Sequence, residues 1–308
     1  MSVRISAVVC TLNRAVFLQK AISSLVGQTL SPDDYEILVV DNGSVDNTKQ
    51  VVEAFRHVLN LRYVYEPILG LSQARNTGWR KAGGEYVAYL DDDAIAYENW
   101  LEKIVDVFET SDSNLGCVGG KIEPIWEVPR PPWLSDRVAA FFTILNLSDS
   151  PIVSTRKQVF AGANIAFPRG LLKALGGFSV DLGRKGSKLL SCEEIVLWRR
   201  LKEAGYSGLY HPEIVVRHHV PAGRVTKQFL ARRTYWEGVS EAVACLVIES
   251  PAMKRRLRKA LWMAHRGVLR PRAIWCFLKS TDDPAEFERK CLTWVNIGYC
   301  AGMLGLSK

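Results

Sequence analysis

The amino-acid sequence predicts an α/β protein with a mostly parallel sheet covered by helices on both faces, followed by a C-terminal helical extension. Short apolar segments alternate with segments of helical periodicity through the first hundred residues. These apolar segments lack the polar–apolar alternation of a sheet with one solvated face, so we expect both faces to be covered. Three of them end in polar clusters, which marks one edge of the sheet as a ligand site.

The first half of the chain contains four predicted strands, each followed by a predicted helix. The strands are Ile5–Cys10, Glu36–Val40, Leu61–Tyr65 and Glu85–Leu90. The helices are Ala15–Val26, a segment that Asp46 can cap and that runs to about Leu59, Gly70–Ala82 and Tyr97–Phe108. Strands and helices that alternate at this spacing indicate parallel β-α-β units.

The pattern loosens after residue 110. We predict a strand at Leu115–Ile122, a proline-rich loop at Pro124–Leu134, helices at Pro168–Leu175 and Glu193–Ala204, and a last strand at Ile214–His218. From Phe229 onward the spacing is mostly helical, and Pro251, Pro271 and Pro284 interrupt it.

Charge is distributed unevenly over the 308 residues, whose net charge is +8. Residues 1–110 hold 10 basic and 15 acidic side chains, whereas residues 223–272 hold 12 basic and 3 acidic ones. The basic segment favours an anionic partner, either a membrane surface or nucleic acid. A solvated helical face is the alternative. No recognisable nucleic-acid-binding module accompanies the charge, so no nucleic acid is expected.

Seven cysteines are scattered along the chain without a C-x-x-C pair, which excludes zinc-ribbon and thioredoxin-like proteins and favours a reducing compartment. The first apolar run is too short for a signal peptide, and no apolar stretch reaches the length of a membrane span. We therefore expect a cytoplasmic protein that can bind peripherally to the inner face of the membrane.

Four groups of residues have types and positions that suit chemistry. Asp91, Asp92 and Asp93 follow a buried-type strand, and adjacent carboxylates suit a divalent cation, although a solvated acidic turn is the alternative. Arg75 lies on a predicted helix, where its guanidinium could bind the acidic edge or a phosphate. An ordinary surface arginine is the alternative. The other two groups are a pair of glutamates and a pair of histidines.

Glu193 and Glu194 open a predicted helix, where carboxylates favour the helix dipole and where a general base would also fit. His218 and His219 follow the last predicted strand. Consecutive strand residues point to opposite faces, so at most one of these imidazoles points into a site.

Together these segments resemble family 2 glycosyltransferases in order and spacing. The matching segments are Val8–Arg14, Val39–Ser44 with Asp46 and Thr48, Gly70–Gly78, Leu90–Asp93 and Glu193–Leu201. The resemblance covers about residues 3–222 and implies the GT-A fold, a Rossmann-like sheet flanked by helices. It divides that part into about 1–95 for nucleotide-sugar binding and 96–222 for acceptor binding, and leaves 223–308 as a basic, mainly helical extension.

The resemblance also implies roles for the strand-end residues. The base and ribose of a nucleotide sugar are expected at Thr11, Asn13, Arg14 and Asp41. Arg75 matches a position near the base and the diphosphate. Asp91 and Asp93 match the D-x-D pair, whose last member usually binds Mn²⁺ or Mg²⁺, and Asp92 between them is counted with the donor-binding residues. His218 resembles a histidine that closes the metal site.

For the acceptor side the resemblance implies a base and a loop. Glu194 stands where the family has the Asp of an E-D pair, its general base, and the neighbouring Glu193 leaves an ambiguity of one residue. The segment Phe160–Asn164 resembles the sugar-recognition loop. Gly162, Asn164 and Trp198 are the residues expected there.

These roles imply an inverting glycosyltransferase that moves a sugar from a nucleotide sugar, with a UDP-sugar favoured, to a hydroxyl of a saccharide or lipid-linked acceptor in polysaccharide or glycoconjugate synthesis. One base without a second carboxylate nucleophile favours single displacement and inversion. A dinucleotide-dependent oxidoreductase would need G-x-G-x-x-G after the first strand, where Cys10–Arg14 stands instead. A nucleotidyltransferase would need a Gly-rich basic loop there. The remaining alternative is a non-catalytic GT-A-like domain that binds a glycan or membrane partner.

Overall fold

The computed structural model describes residues 3–58, 60–154, 160–186, 188–267, 269 and 280–306. Its strands are β1 Ile5–Thr11, β2 Tyr35–Asp41, β3 Leu61–Tyr65, β4 Tyr86–Asp91, β5 Ala94–Ala96, β6 Leu115–Trp126, β7 Ile152–Ser154, β8 Asn164–Pro168 and β9 Ser207–Val220. Its helices are α1 Ala15–Val26, α2 Thr48–Ala54, α3 Leu71–Lys81, α4 Trp100–Thr110, α5 Asp136–Ala139, α6 Arg169–Leu175, α7 Glu193–Glu203, α8 Lys227–Glu249, α9 Met253–Gly267 and α10 Pro284–Leu304.

The strands form one sheet in the order β3-β2-β1-β4-β8-β6-β9-β5, and β7 pairs with β9 beside that row. The first four strands in this order are parallel, as the β-α-β pattern predicted. The pairs β4–β8, β6–β8, β5–β9 and β7–β9 are antiparallel. The predicted α/β class with a mostly parallel, helix-covered sheet is confirmed.

Hydrophobic side chains cover both faces of the sheet, because successive residues of a strand point in opposite directions. In β1, Ala7 and Val9 pack into a cluster with α1 and α4, while Val8 packs into a second cluster with residues of α3, α6 and α7. Helix α3 lies so close to β1 that a Cβ on Gly78 would stand 2.5 Å from the Val8 side chain. Glycine at this position therefore sets how near α3 approaches the sheet.

The chain divides into two compact units, each built from several segments. Unit 1 comprises Met1–Ile125, Thr143–Val180 and Leu197–His219, and contains the sheet core. Unit 2 comprises Trp126–Phe142, Asp181–Val196 and Val220–Lys308, and is mainly helical. Within unit 2, a Cβ on Gly238 of α8 would clash with the Val295 carbonyl of α10, so the two helix backbones touch there. The predicted division at residue 222 stays a prediction.

Several sequence-based boundaries need correction. Helix α2 begins at Thr48 and ends at Ala54 instead of reaching Leu59, which lies outside the described residues. Strand β6 continues to Trp126, into the segment predicted as a loop. Strand β9 begins at Ser207, well before the predicted start at Ile214, because the early half pairs with β7. Strands β5, β7 and β8 were not predicted. Residues 268 and 270–272 of the basic segment lie outside the described residues.

Candidate functional site

Three parallel strands end side by side at one edge of the sheet. In the register of β1 with its neighbours, Thr11 lies opposite Asp41 of β2 and Cys10 lies opposite Asp91 of β4. The carboxyl ends of neighbouring parallel strands are where ligands bind in open α/β sheets. This register brings the predicted donor-side residues of β1, β2 and β4 to one edge.

Asp91 and Asp93 converge with His218 directly beyond β4. One potential ligand atom from each of these three residues lies within 4.8 Å of the others. The His218 Nε2 atom is 3.1 Å from Asp93 Oδ1. The pairing of β5 with β9 causes this convergence, because it sets Ala94 opposite His218 just after the acidic turn.

His219 points elsewhere, which answers the question that the sequence left open. Its ring packs against Phe17 with the ring centroids 4.8 Å apart. Its backbone N–H donates to the Asp93 carbonyl at 2.9 Å, so it helps to hold the acidic turn. Of the two histidines, His218 is the one that faces the carboxylates.

Asp92 points away from this group and is tied to β1. It accepts hydrogen bonds from Thr11 Oγ1 and from Arg14 Nη1, both at 2.8 Å. Arg14 also donates through Nη2 to Asp93 at 2.6 Å, and its guanidinium lies 5.0 Å from the centroid of Phe17. Burial raises the pKa of Asp92 above its usual range, and the neighbouring Asp93 carboxylate adds to the rise, while Arg14 opposes it. Contact of Arg14 or Thr11 with a base or ribose stays a prediction.

Arg75 is buried on α3 and reaches Asp91, with Nη2 3.3 Å from Oδ1. Its guanidinium lies 5.5 Å from the ring centroid of Phe178 and 5.9 Å from that of Tyr89. The Tyr89 hydroxyl donates to the Arg75 carbonyl at 3.0 Å. Two aromatic rings and a carboxylate therefore fix a cation beside the acidic turn, in agreement with the bracing arginine that the sequence suggested.

The loops after β1 and β2 are locked to one another. Asn13 has a φ of 54°, and its side-chain oxygen accepts from the Val45 N–H at 2.8 Å. Asp41 accepts from the Ser44 N–H at 2.8 Å and from the Tyr63 hydroxyl at 2.7 Å. These bonds give the edge a fixed shape, and the expected contacts of Asn13 and Asp41 with a nucleotide stay predictions.

Asn42 has a structural role that sequence reasoning missed. Its amide donates to the carbonyls of Glu66 and Ile68 at 3.0 and 2.8 Å, and its oxygen accepts from the Gly70 N–H at 2.8 Å. The segment before α3 is thereby fixed to the end of β2. The signal available in the sequence was the turn cluster that begins at Asp41, because Asn side chains commonly bond backbone groups in such turns.

Asn164, which was expected to contact the acceptor, has its side chain bonded within the protein. It is 1% exposed, and its amide donates to the carbonyls of Lys121 and Ile214 at 3.0 and 2.9 Å. Its oxygen accepts from the Trp100 indole N–H at 2.8 Å. Both donors and the acceptor are engaged by the protein itself, so Asn164 joins β8 to its neighbours, and its expected contact with an acceptor stays a prediction.

The two other residues expected on the acceptor side are buried as well. Gly162 is buried, and Trp198 is 6% exposed and packs edge-on against Phe160 with centroids 5.5 Å apart. Their expected contact with an acceptor stays a prediction.

Glu193 and Glu194 form the first turn of α7, within unit 2. Glu193 is 3% exposed, whereas Glu194 is half-buried. The Cys192 carbonyl accepts hydrogen bonds from the N–H groups of Ile195 and Val196. Cys192 has a φ of 71°, so the chain turns sharply into the helix at this residue. The sharp turn fixes where α7 begins and places both glutamates in its first turn.

The segment before this turn is held by α8. The Ser191 N–H donates to Ser240 Oγ at 2.9 Å, and the Ser191 hydroxyl donates to Glu237 at 2.8 Å. Arg184 lies in the same unit, and its positive charge interacts with the carboxylates of Glu193 and Glu237. The charges around Glu193 are therefore partly balanced within unit 2.

Comparison with known proteins decides the family. Residues 6–176 match the family described as Glycosyl transferase family 2. The chain belongs to that family. The glucosyl-dolichyl phosphate glucuronosyltransferase of Haloferax volcanii is 27% identical to this glycosyltransferase over 250 residues, which cover 79% of this chain and 78% of that protein.

Two solved structures share the fold. The mannosyltransferase PcManGT of Pyrobaculum calidifontis, in complex with GDP-Man and Mn²⁺, has a TM-score of 0.65 at 22% identity and covers 100% of this chain and 89% of that chain. Residues 1–349 of S. aureus TarS, in complex with UDP-GlcNAc, have a TM-score of 0.55 at 17% identity, covering 92% and 78%. The family resemblance and the GT-A fold that the sequence implied are both confirmed.

The residues at the acidic edge of this family 2 glycosyltransferase fit a divalent cation. Carboxylate oxygens suit both Mg²⁺ and Mn²⁺, and an imidazole nitrogen suits a transition metal better than Mg²⁺. Asp91, Asp93 and His218 supply that donor set from converging positions. No helix among the described residues of the glycosyltransferase has the length and apolar character needed to span a membrane.

Proposed function

We propose that this glycosyltransferase moves a sugar, with inversion, from a nucleotide sugar to a hydroxyl of a saccharide or lipid-linked acceptor in polysaccharide or glycoconjugate synthesis. The observation that carries the proposal is the convergence of Asp91, Asp93 and His218 beside Arg75 at the strand ends. A lipid-linked acceptor is supported by the Haloferax relative, whose name describes a dolichyl phosphate substrate.

In the proposed reaction, Asp91, Asp93 and His218 hold Mn²⁺ or Mg²⁺. The cation, when bound, supplies positive charge that stabilises the leaving nucleoside diphosphate. Arg75 adds a fixed positive charge, because its position between two rings and Asp91 requires no reorganisation during the reaction. Glu194 accepts the proton of the acceptor hydroxyl, which attacks the anomeric carbon from the face opposite the leaving group.

The donor in this proposal is a UDP-sugar. The structural neighbours with bound donors carry GDP-Man in one case and UDP-GlcNAc in the other, so the fold accommodates either base. The nucleotide base of the donor is therefore the first property to determine by experiment. We place the enzyme in the cytoplasm, which the free thiols of the described cysteines support.

The alternative is a GT-A-like domain that binds a glycan without catalysis. Loss of the acidic turn would favour it, but all three aspartates are present and two of them face His218. Metal-dependent hydrolysis of a nucleotide sugar in the absence of acceptor would distinguish the enzyme from the binding domain.

Calorimetry with UDP, GDP and dTDP, each with Mn²⁺, with Mg²⁺ and with EDTA, tests the proposal directly. We expect one nucleotide to bind in a metal-dependent manner and, at about 100 times its Kd, to stabilise the protein by about 2.7 kcal/mol. The variant Asp93→Asn keeps the side-chain volume and removes the negative charge of a metal ligand, so metal-dependent binding should weaken sharply.

The matched control is Asp33→Asn, an exposed aspartate in a surface turn of the same unit. It should bind nucleotide and metal as the wild type does, and circular dichroism should show both variants folded. Nucleotide affinity that is the same with metal and with EDTA would contradict the proposal.

A further inference from the structure

Helix α9 is basic along its whole length. It contains six lysines and arginines and no aspartate or glutamate. Four apolar side chains on this helix are nevertheless exposed, with Met253 at 64%, Leu257 at 46%, Leu261 at 61% and Trp262 at 55%. Large exposed apolar groups among several positive charges are a combination that a merely solvated helix does not need.

Part of the positive charge holds α9 in unit 2. Lys259 and Arg255 both pair with Glu249, at 2.7 and 3.1 Å. The Nε atom of Arg256 donates to the Met303 carbonyl at 2.9 Å. These three cations are therefore engaged with the neighbouring helices.

The opposite side of the helix forms a distinct surface, which we call the α9 face. It lines a shallow depression and consists of Lys254, Leu257, Arg258, Leu261, Trp262 and His265. Ala260, on the other side of the helix, is 3% exposed, so α9 is oriented with this face outward from unit 2. Within the described part of the chain, neither Lys254 nor Arg258 forms an ion pair.

The aromatic residues of α8 do not contribute to such a surface. Phe229 stacks on Phe142 with centroids 6.1 Å apart. Tyr235 packs edge-on against Trp236 and Trp294, at 6.0 and 6.4 Å. The aromatic side chains of α8 pack against other rings inside unit 2. Of the described helices in the basic segment predicted from the sequence, only α9 therefore combines exposed positive charge with exposed apolar side chains.

We propose that the α9 face docks this glycosyltransferase on a bilayer that contains anionic phospholipid. Basic amphipathic helices lie in the membrane interface with their apolar side chains inserted and their cationic groups among the headgroups. Tryptophan favours that same interface, and long basic side chains reach the headgroups while their stems contact apolar groups.

Other partners do not suit both the positive charges and the apolar side chains of the α9 face. Nucleic acid or an acidic polysaccharide attracts Lys254 and Arg258 but offers no apolar medium for Leu257 and Leu261. A second copy of the chain would set the cations of two such faces against one another, which is unfavourable. The anionic bilayer is the partner that suits both the charge and the apolar surface, and the docking does not depend on the proposed reaction.

Sedimentation of the full-length protein with vesicles tests the docking. The vesicles are pure phosphatidylcholine, and phosphatidylcholine with about one-third phosphatidylglycerol, each at low and at high salt. Wild-type protein should bind the anionic vesicles at low salt and bind less as salt rises. Lys254→Gln/Arg258→Gln should lower the partition coefficient about thirtyfold, since each cation near an anionic surface contributes roughly one factor of five to ten.

A second variant and a control separate insertion from charge. Leu261→Ala/Trp262→Ala should weaken binding at least about tenfold without changing net charge. The control Lys20→Gln/Lys173→Gln removes two exposed lysines of unit 1 and should bind as the wild type does, apart from a small effect of net charge. Thermal unfolding checks that every variant is folded.

Three results would overturn the docking. One is equal and negligible binding of wild-type protein to both kinds of vesicle at low salt. Another is equal loss in the α9 charge variant and in the lysine control, which would mean a diffuse effect of net charge. The last is retention of full binding by the Leu261→Ala/Trp262→Ala variant, which would mean that α9 stays a solvated face.

Discussion

Replacing Asn164 by alanine distinguishes the role found in the structure from the role expected from the sequence. Asn164→Ala removes two donors and one acceptor from a site that is 1% exposed. The carbonyls of Lys121 and Ile214 and the Trp100 indole N–H lose their partner together. Because the site is buried, water does not readily replace the lost amide.

The expected loss of stability follows from these three contacts. A buried polar group left without a partner costs about 1–3 kcal/mol, so three of them cost roughly 3–5 kcal/mol when partial relaxation is included. That is a large fraction of the stability of a typical domain, which is about 5–15 kcal/mol. For a unit of this size it corresponds to a fall in Tm of roughly 10 °C.

Thermal unfolding followed by circular dichroism, together with acceptor kinetics below the transition, provides the assay. The control Asn60→Ala removes an amide that donates to the carbonyls of Pro32 and Tyr35 at 3.3 and 3.0 Å but is only partly buried. Its Tm should fall by much less. A variant Asn164→Ala with the wild-type Tm and a strongly raised KM for the acceptor would refute the structural role and restore the acceptor contact.

Two other predictions concern the proposed general base and acid stability. Glu194→Gln should lower kcat by about 10²–10⁴ while donor affinity hardly changes, whereas Glu193→Gln should retain turnover, and the reverse result in a kinetic assay would show that the assigned base is wrong by one residue. Burial of Glu66 acts to raise its pKa, but hydrogen bonds from Thr77, the Ile68 N–H and Gln73 outweigh it, so the pKa lies below its ordinary value of 4.5. The ionised form therefore stabilises the fold above pH 4.5, and this contribution is lost as pH falls through the folded-state pKa. Denaturant unfolding from neutral to acid pH should show a smaller loss for Glu66→Gln than for the wild type, and equal losses would contradict the assignment.

The sequence was sufficient for the parallel half of the sheet because local signals there are strong. Strands β1, β2 and β4 are mostly apolar segments, and α1 and α4 have clear helical periodicity. Strands β5 and β7 have three residues each, which is too short for a periodic signal. The early half of β9 contains Gly208 and Pro212, which oppose strand formation locally, so its pairing with β7 is a tertiary effect.

The same distinction between local and distant contacts applies to the site. The acidic turn and the strand-end loops could be predicted because they follow their strands directly in the chain. The choice of His218 over His219 could not, because it depends on which residue of β9 lies opposite Ala94. The structural role of Asn164 was inaccessible for a similar reason, since its partners come from three elements that are distant in sequence.

The acidic turn divides its three carboxylates between two tasks. Asp91 at the end of β4 and Asp93 in the turn that follows meet in one group with His218, whereas Asp92 bonds Thr11 and Arg14. Arg14 bonds Asp92 through one nitrogen and Asp93 Oδ2 through the other, while Asp93 Oδ1 faces His218. The guanidinium thus lowers the repulsion among adjacent carboxylates and fixes Asp93 in orientation, which leaves one of its oxygens directed toward the group formed with Asp91 and His218.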